Sequence, residues 1–308
     1  MKTAVIGIGS NSVRMLLAEV RGSSGLRLRR DRTVTRLFAG LGPDQCLSPE
    51  AMAKTAAEVA RMAADARAAG AGEILVFATS ATRDAANRDV FGALIRGAAG
   101  VPLQVCSGRE EALQSYLGAC DGGRCGVIDI GGGSTEVVSG DDAGQPAASF
   151  SCQMGAVRLY QALPIRSAAD LPLAIGRAEA VIGEALARCE GWQAPETWWG
   201  TGGTFTCLGA LVNGTHWSDR ACLHGTRVTR EAARDLACRL ADMPLAERMA
   251  LPSLHAGRAD IVVHGISILL ACMQLLDMPA LRVSEYGNLE GCLKQHYRLT
   301  VLDSAPDM

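Results

Sequence analysis

Two apolar, β-branched-rich runs at residues 2–8 and 13–20, separated by the turn tetrad Gly9-Ser10-Asn11-Ser12, predict a β-hairpin at the head of the chain. Residues 26–34 begin with alternating Leu and Arg, the pattern of a half-exposed third strand. Ser48-Pro49-Glu50 then supplies an N-cap with proline at the first helical position. Met52, Val59 and Met62 mark the buried side of that helix, which ends near Gly70. A short buried strand is expected at 74–78, a helix over roughly 82–98 and a strand at 103–106. Ser107-Gly108 caps a further helix running to about Gly118.

After Asp121-Gly122-Gly123, which reads as a hinge, the pattern restarts with strands at 127–130, 137–139 and 147–151. Val5–Ser12 matches Val127–Ser134 at five of eight positions, 122 residues further on. Two copies of one strand–turn–strand hairpin imply two similar halves, 1–121 and 122–287. Helices near 167–189, 229–243 and 258–276, with strands at 197–201 and 281–284, complete the second half. The whole is α/β.

Composition changes this picture little. The chain has 308 residues, 48% hydrophobic and 20% charged, with a net charge of −2, and so excludes disordered, collagenous and membrane-spanning classes. Near-neutrality also argues against a nucleic-acid coat or a polybasic membrane anchor. The basic residues comprise 27 Arg against three Lys (Lys2, Lys54, Lys294), which suits either an anion site or an Arg-favouring base composition. The Arg27/Arg29/Arg30/Arg32/Arg36 cluster reads as a solvated strand face or a guide for a polyanion. The 11 cysteines show no zinc spacing, a disulfide scaffold is not expected at this length, and most of them read as small buried hydrophobes in a reducing cytoplasm. The five histidines have no ligand-like spacing, and a cytoplasmic location is expected.

The glycine turns carry the chemistry. Such turns let backbone N–H groups converge on an anion, most often a phosphate. Asp129, two residues before Gly131-Gly132-Gly133-Ser134, would repel that anion unless a cation such as Mg²⁺ lay between them; otherwise it caps the turn. Glu136 is a second candidate metal ligand. Gly200-Thr201-Gly202-Gly203-Thr204 precedes an apolar helical stretch, another favourable anion site. Ser80 and Arg83 open one helix where they face a phosphate or serve as ordinary cap and ion-pair residues. Glu110 and Glu111 open another, and only one of these adjacent carboxylates can face a given cleft. A carboxylate there can serve as general base for water.

The ordered set Gly9–Arg14, Ala78–Asn87, Ser107–Ala112, Asp129–Glu136, Gln153–Leu159 and Gly200–Thr204 resembles the exopolyphosphatase/guanosine pentaphosphate phosphatase family in its short form. The resemblance implies two RNase-H-like domains of the actin/Hsp70/sugar-kinase superfamily around an interdomain phosphate cleft, with a C-terminal helix (about 288–298, within a segment 288–308) crossing back to the first domain. It implies Glu111 as the catalytic glutamate orienting water, Asp129 as the magnesium-linked residue, and Gly131, Gly132, Gly133 and Ser134 as phosphate-site residues. Gly9, Ser10, Asn11, Ser12, Arg14, Ser80 and Arg83, with Gly202, Gly203 and Thr204, complete the expected substrate set. Mg²⁺ or Mn²⁺ as cofactor, polyphosphate or guanosine penta/tetraphosphate as ligand, and a homodimer follow from the same resemblance.

Two departures stand out: Gly7 where the family has Asp, and Leu289 where it has Arg. The first is visible in the repeat, since Gly7 aligns with Asp129. These losses keep a second reading open, a sensor of (p)ppGpp or polyphosphate with little turnover; on that reading Gly7→Asp restores rate. A kinase of the same superfamily is a third reading, opposed by Ser107-Gly108-Arg109-Glu110-Glu111-Ala112.

Overall fold

The computed structural model describes residues 1–120 and 122–304. The leading meander consists of β1 (Lys2–Ile8), β2 (Ser12–Arg21) and β3 (Ser24–Val34), followed by α1 (Pro49–Ala68), β4 (Glu73–Ala78), α2 (Ser80–Arg83), α3 (Arg88–Ala99), β5 (Leu103–Val105) and α4 (Gly108–Ala119). The second meander is β6 (Cys125–Ile130), β7 (Thr135–Gly140) and β8 (Pro146–Cys152). After it come α5 (Ala156–Ala162), α6 (Leu171–Ala187), β9 (Thr197–Thr201), α7 (Gly203–Asn213) and β10 (Arg227–Thr229). Then follow α8 (Arg230–Asp242), α9 (Leu245–Ala250), α10 (Val262–Leu275), β11 (Ala280–Val283), α11 (Asn288–Tyr297) and β12 (Val301–Ser304). These elements form two compact units, Met1–Gly118 with the segment from Asn288, and Ala119–Gly287. Asp121 of the expected hinge and residues 305–308 of the expected C-terminal segment lie outside the described residues.

In the first unit the sheet order is β12-β3-β2-β1-β4-β5, with β1 antiparallel to β2 and parallel to β4. The run 3-2-1-4-5 is the RNase-H-like order. Ser48 Oγ accepts from Ala51 N at 3.2 Å, so α1 starts where its cap signal lies. One face of the sheet carries α1; the other carries α11, whose Leu289 and Leu293 join Val5, Leu16, Phe77 and Cys106 in one apolar cluster. The single helix expected over 82–98 is broken between Arg83 and Arg88. Asn87 sits at the break: its side-chain amide accepts from Leu47 N and donates to Leu47 O, each at 2.9 Å, a tie across 40 residues. Arg30 of the basic strand is turned inward onto the buried Glu290. Arg29 lies 3.5 Å from Asp31, so the strand is no uniformly free basic face.

The second unit repeats the plan. Its sheet order is β10-β11-β9-β6-β7-β8, in which β8-β7-β6-β9-β11 follows the same antiparallel-then-parallel scheme. Buried residues of α10 from Val262 to Met273 pack against α6, α8 and α5. Sequence periodicity misses α5, β10, α9 and β12, all of seven residues or fewer. One cysteine expectation is corrected. Cys120 and Cys125 form a disulfide across a sequence separation of five. Among the described residues the other nine cysteines are free.

Candidate active site

The two repeated hairpins have the same turn. Gly9 N donates to Ser12 O and Gly131 N donates to Ser134 O, each at 3.0 Å. In each unit the carbonyls of the turn are tied by the chain that leaves the third strand. Phe38 N donates to Ser10 O, and Thr35 N and Arg36 N donate to Asn11 O, at 2.8–3.1 Å. In the second unit Ala156 N donates to Gly131 O, while Val157 N and Arg158 N donate to Gly132 O, at 2.8–3.0 Å. Arg158 Nε takes Gly133 O at 2.8 Å. With their oxygens engaged, such turns present amide hydrogens to whatever approaches, the arrangement of an anion nest. Ser10, Asn11, Ser12 and Ser134 are all buried. Asn11 Nδ2 is a buried donor with no hydrogen-bond partner among the described residues, which fits an anionic guest.

Across the second sheet, register places Ser151, Glu136, Asp129 and Thr201 in one row. Asp129 and Glu136 are buried and directly opposed. Glu136 Oε1 accepts from Ser151 Oγ at 2.7 Å. Two like charges facing each other across strands are unfavourable without a cation. Among the described residues no three His, Cys, Asp or Glu gather into a ligand cage. Two carboxylates without a full cage match Mg²⁺, which keeps several waters and takes its other oxygens from phosphates. The residues present therefore fit that ion.

The Gly200–Thr204 loop borders the same row. Gly202 has φ of 96°, and a Cβ there would meet Asp129 Oδ1 at 2.8 Å, so glycine is required on both grounds. A Cβ on Gly203 would fall 1.7 Å from the Arg258 guanidinium carbon. Arg258 therefore covers the first residue of α7, a placement for which the sequence carries no signal. The Thr204 hydroxyl is turned toward Gly265 of α10, leaving its backbone to serve the loop.

In the first unit, Arg83 and Glu111 meet. Arg83 Nη1 donates to Glu111 Oε2 at 2.9 Å and to Cys106 O at 3.0 Å. The Glu111 side chain is 6% exposed and that of Arg83 17%. Ser80 is buried and its hydroxyl donates to Asp84 Oδ2 at 3.2 Å. Arg14 Nη2 donates to Asn288 Oδ1 at 3.1 Å. Burial pushes the Cys106 thiol up to about 12, which leaves it protonated and no nucleophile beside Glu111.

The adjacent acids have separate tasks. Glu110 accepts from Ser107 N at 2.7 Å and from Ser107 Oγ at 2.8 Å, and these bonds hold its carboxyl below the usual range. Ser107 Oγ in turn accepts from Glu110 N, a reciprocal cap for α4. Ser107→Ala is expected to cost about 1 kcal/mol in urea unfolding. Because Glu110 is depressed in the folded state, that difference is full above about pH 5 and shrinks as the carboxyl protonates at lower pH.

Residues 18–298 match the Ppx/GppA phosphatase family. Exopolyphosphatase 2 of Mycobacterium tuberculosis is 33% identical over 313 residues, spanning 94% of this chain and 97% of that protein. Exopolyphosphatase 1 of Mycobacterium bovis is 28% identical over 320 residues, spanning 100% and 90%. The crystal structure of an exopolyphosphatase-like protein superposes with a TM-score of 0.88 at 28% identity, covering 97% and 99%. An exopolyphosphatase from Cytophaga hutchinsonii, at 20% identity and a TM-score of 0.86 over 97% and 98%, shares the fold. Among the described residues no helix is long and apolar enough to cross a membrane.

Proposed function

Because the chain belongs to the Ppx/GppA phosphatase family, we propose that it hydrolyses phosphoanhydrides, releasing the terminal phosphate of inorganic polyphosphate. The observation that carries this reading is the buried Glu111 carboxylate held by Arg83 at 2.9 Å, on a chain whose two glycine turns have their carbonyls tied back. The relatives named exopolyphosphatase support the substrate class.

In this reading the turn amides at Gly9–Ser12 with Arg14 in the first unit, and those at Gly131–Ser134 with Gly202, Gly203 and Thr204 in the second, are each donors for phosphate oxygens. Arg258, lying over Gly203, adds positive charge beside that loop. A water oxygen bonds to the terminal phosphorus as the bridging P–O bond breaks. Glu111 accepts the water's proton, and the chain leaves one phosphate shorter. Arg83 keeps the carboxylate aimed. Asp129 and Glu136 would hold Mg²⁺ or Mn²⁺, which when bound neutralises charge on the phosphate oxygens.

The 5′-phosphate of pppGpp presents the same bond type, so one assay separates the substrates. Purified protein with Mg²⁺ is given polyphosphate or pppGpp and free phosphate is measured. Release from polyphosphate is the expected result, and release from pppGpp extends the substrate range. Binding of either ligand with release from neither overturns the hydrolase reading in favour of a sensor.

A further inference from the structure

Gly7 has no side chain, and its vacated volume is filled from another element. A Cβ built on Gly7 would stand 2.9 Å from Leu289 Cδ2 and 3.0 Å from Phe77 Cζ. Phe77 is its neighbour on β4, and Arg14 is its neighbour on β2. Leu289 is buried and belongs to the apolar cluster with Phe77, Val5 and Leu16. The residues on either side of it are tied to two different strands, β2 and β3. Asn288 accepts from Arg14 at 3.1 Å, and Glu290 accepts from Arg30. The first turn of α11 thus rests on the sheet at three points, with Leu289 as the central one.

The repeat sharpens the comparison. Asp129 and Glu136 face each other in the second hairpin; the aligned pair in the first is Gly7 and Arg14. The first hairpin therefore carries a cation where the second carries two carboxylates. Nothing in the first hairpin's row holds Arg14 by charge from position 7. The side chain that Arg14 does bond, Asn288, lies next to Leu289 in the chain.

We propose that Leu289 is a positioning residue: seated on Gly7 and Phe77, it fixes the first turn of α11 so that Asn288 holds the Arg14 guanidinium toward substrate phosphate. Gly7 and Leu289 are then one matched contact. This rests on the reading of Arg14 as a phosphate contact.

The test measures equilibrium binding of a polyphosphate of defined length alongside steady-state turnover, for wild type, Leu289→Ala, Leu289→Met and Asn288→Ala. Leu289→Ala and Asn288→Ala are expected to raise Kd and KM about tenfold, the loss of one oriented charge-assisted hydrogen bond, with kcat within about twofold. Leu289→Met, which refills the contact, restores both. Gly7→Asp in the native background gives no gain in turnover, because its carboxylate is driven into Leu289 and Phe77. Unchanged Kd in folded Leu289→Ala, or in Asn288→Ala, overturns the positioning role. So does a rise in turnover in Gly7→Asp. Wild-type binding without phosphate release overturns the hydrolase reading alone and leaves the Kd comparison intact. Wild type that binds no polyphosphate overturns both.

Discussion

Glu111→Gln is expected to lower phosphate release from polyphosphate by about 10³-fold while the protein keeps its thermal unfolding midpoint within a few degrees. The substitution is isosteric. Arg83 Nη1, now 2.9 Å from Glu111 Oε2, can donate equally to the amide oxygen, so the geometry at the start of α4 is retained. What is lost is the proton acceptor, and general-base assistance contributes about 10²- to 10⁴-fold in such reactions. Glu110 cannot take over. It is tied to Ser107 by two hydrogen bonds of 2.7 and 2.8 Å, and lies about 100° around the helix from Glu111. Arg83→Met gives the complementary result. It removes the ion-pair partner 2.9 Å from a buried carboxylate, so stability falls together with rate. If Glu111→Gln retains more than a tenth of wild-type turnover, Glu111 is not the base.

How far the sequence reaches depends on whether the deciding contact is local. The β1–β2 and β6–β7 hairpins are readable because β-branched alternation and a glycine tetrad lie within a dozen residues of each other. Ser48 and Ser107 are readable as caps for the same reason. The break before α3 is not, since Asn87 satisfies Leu47, which precedes it by 40 residues. Nor is the Arg258 guanidinium over Gly203, or Leu289 over Gly7: both are close approaches between distant elements, chosen by packing. The glycine at position 7 was legible only as a missing carboxylate. Its structural meaning depends on what fills the gap. The candidate site follows the same division. Which residues could bind phosphate was written in motif order, and so was the segment 156–158 that ties back the second turn, inside Gln153–Leu159; the carbonyls of the first turn depend on residues 35–38, which belong to none of the motifs.

Asp129→Asn is expected to cut turnover by about 10²-fold or more and, in the presence of EDTA, to raise the unfolding midpoint. The two effects have one cause. Asp129 and Glu136 are buried and stand opposite each other in register, where facing like charges are destabilising. With no cation present, neutralising one of them relieves the repulsion. Adding Mg²⁺ is expected to stabilise the wild type through preferential binding to the folded state, and to stabilise Asp129→Asn much less. Glu136→Gln should show the same pattern with a smaller change in rate, since its Oε1 is already engaged by Ser151 at 2.7 Å. Thermal melts with EDTA and with a Mg²⁺ series, run beside the phosphate assay, read both effects. A wild-type midpoint that does not respond to Mg²⁺, with Asp129→Asn unfolding at a lower temperature in EDTA, would assign Asp129 to capping the Gly131 turn and remove it from metal binding.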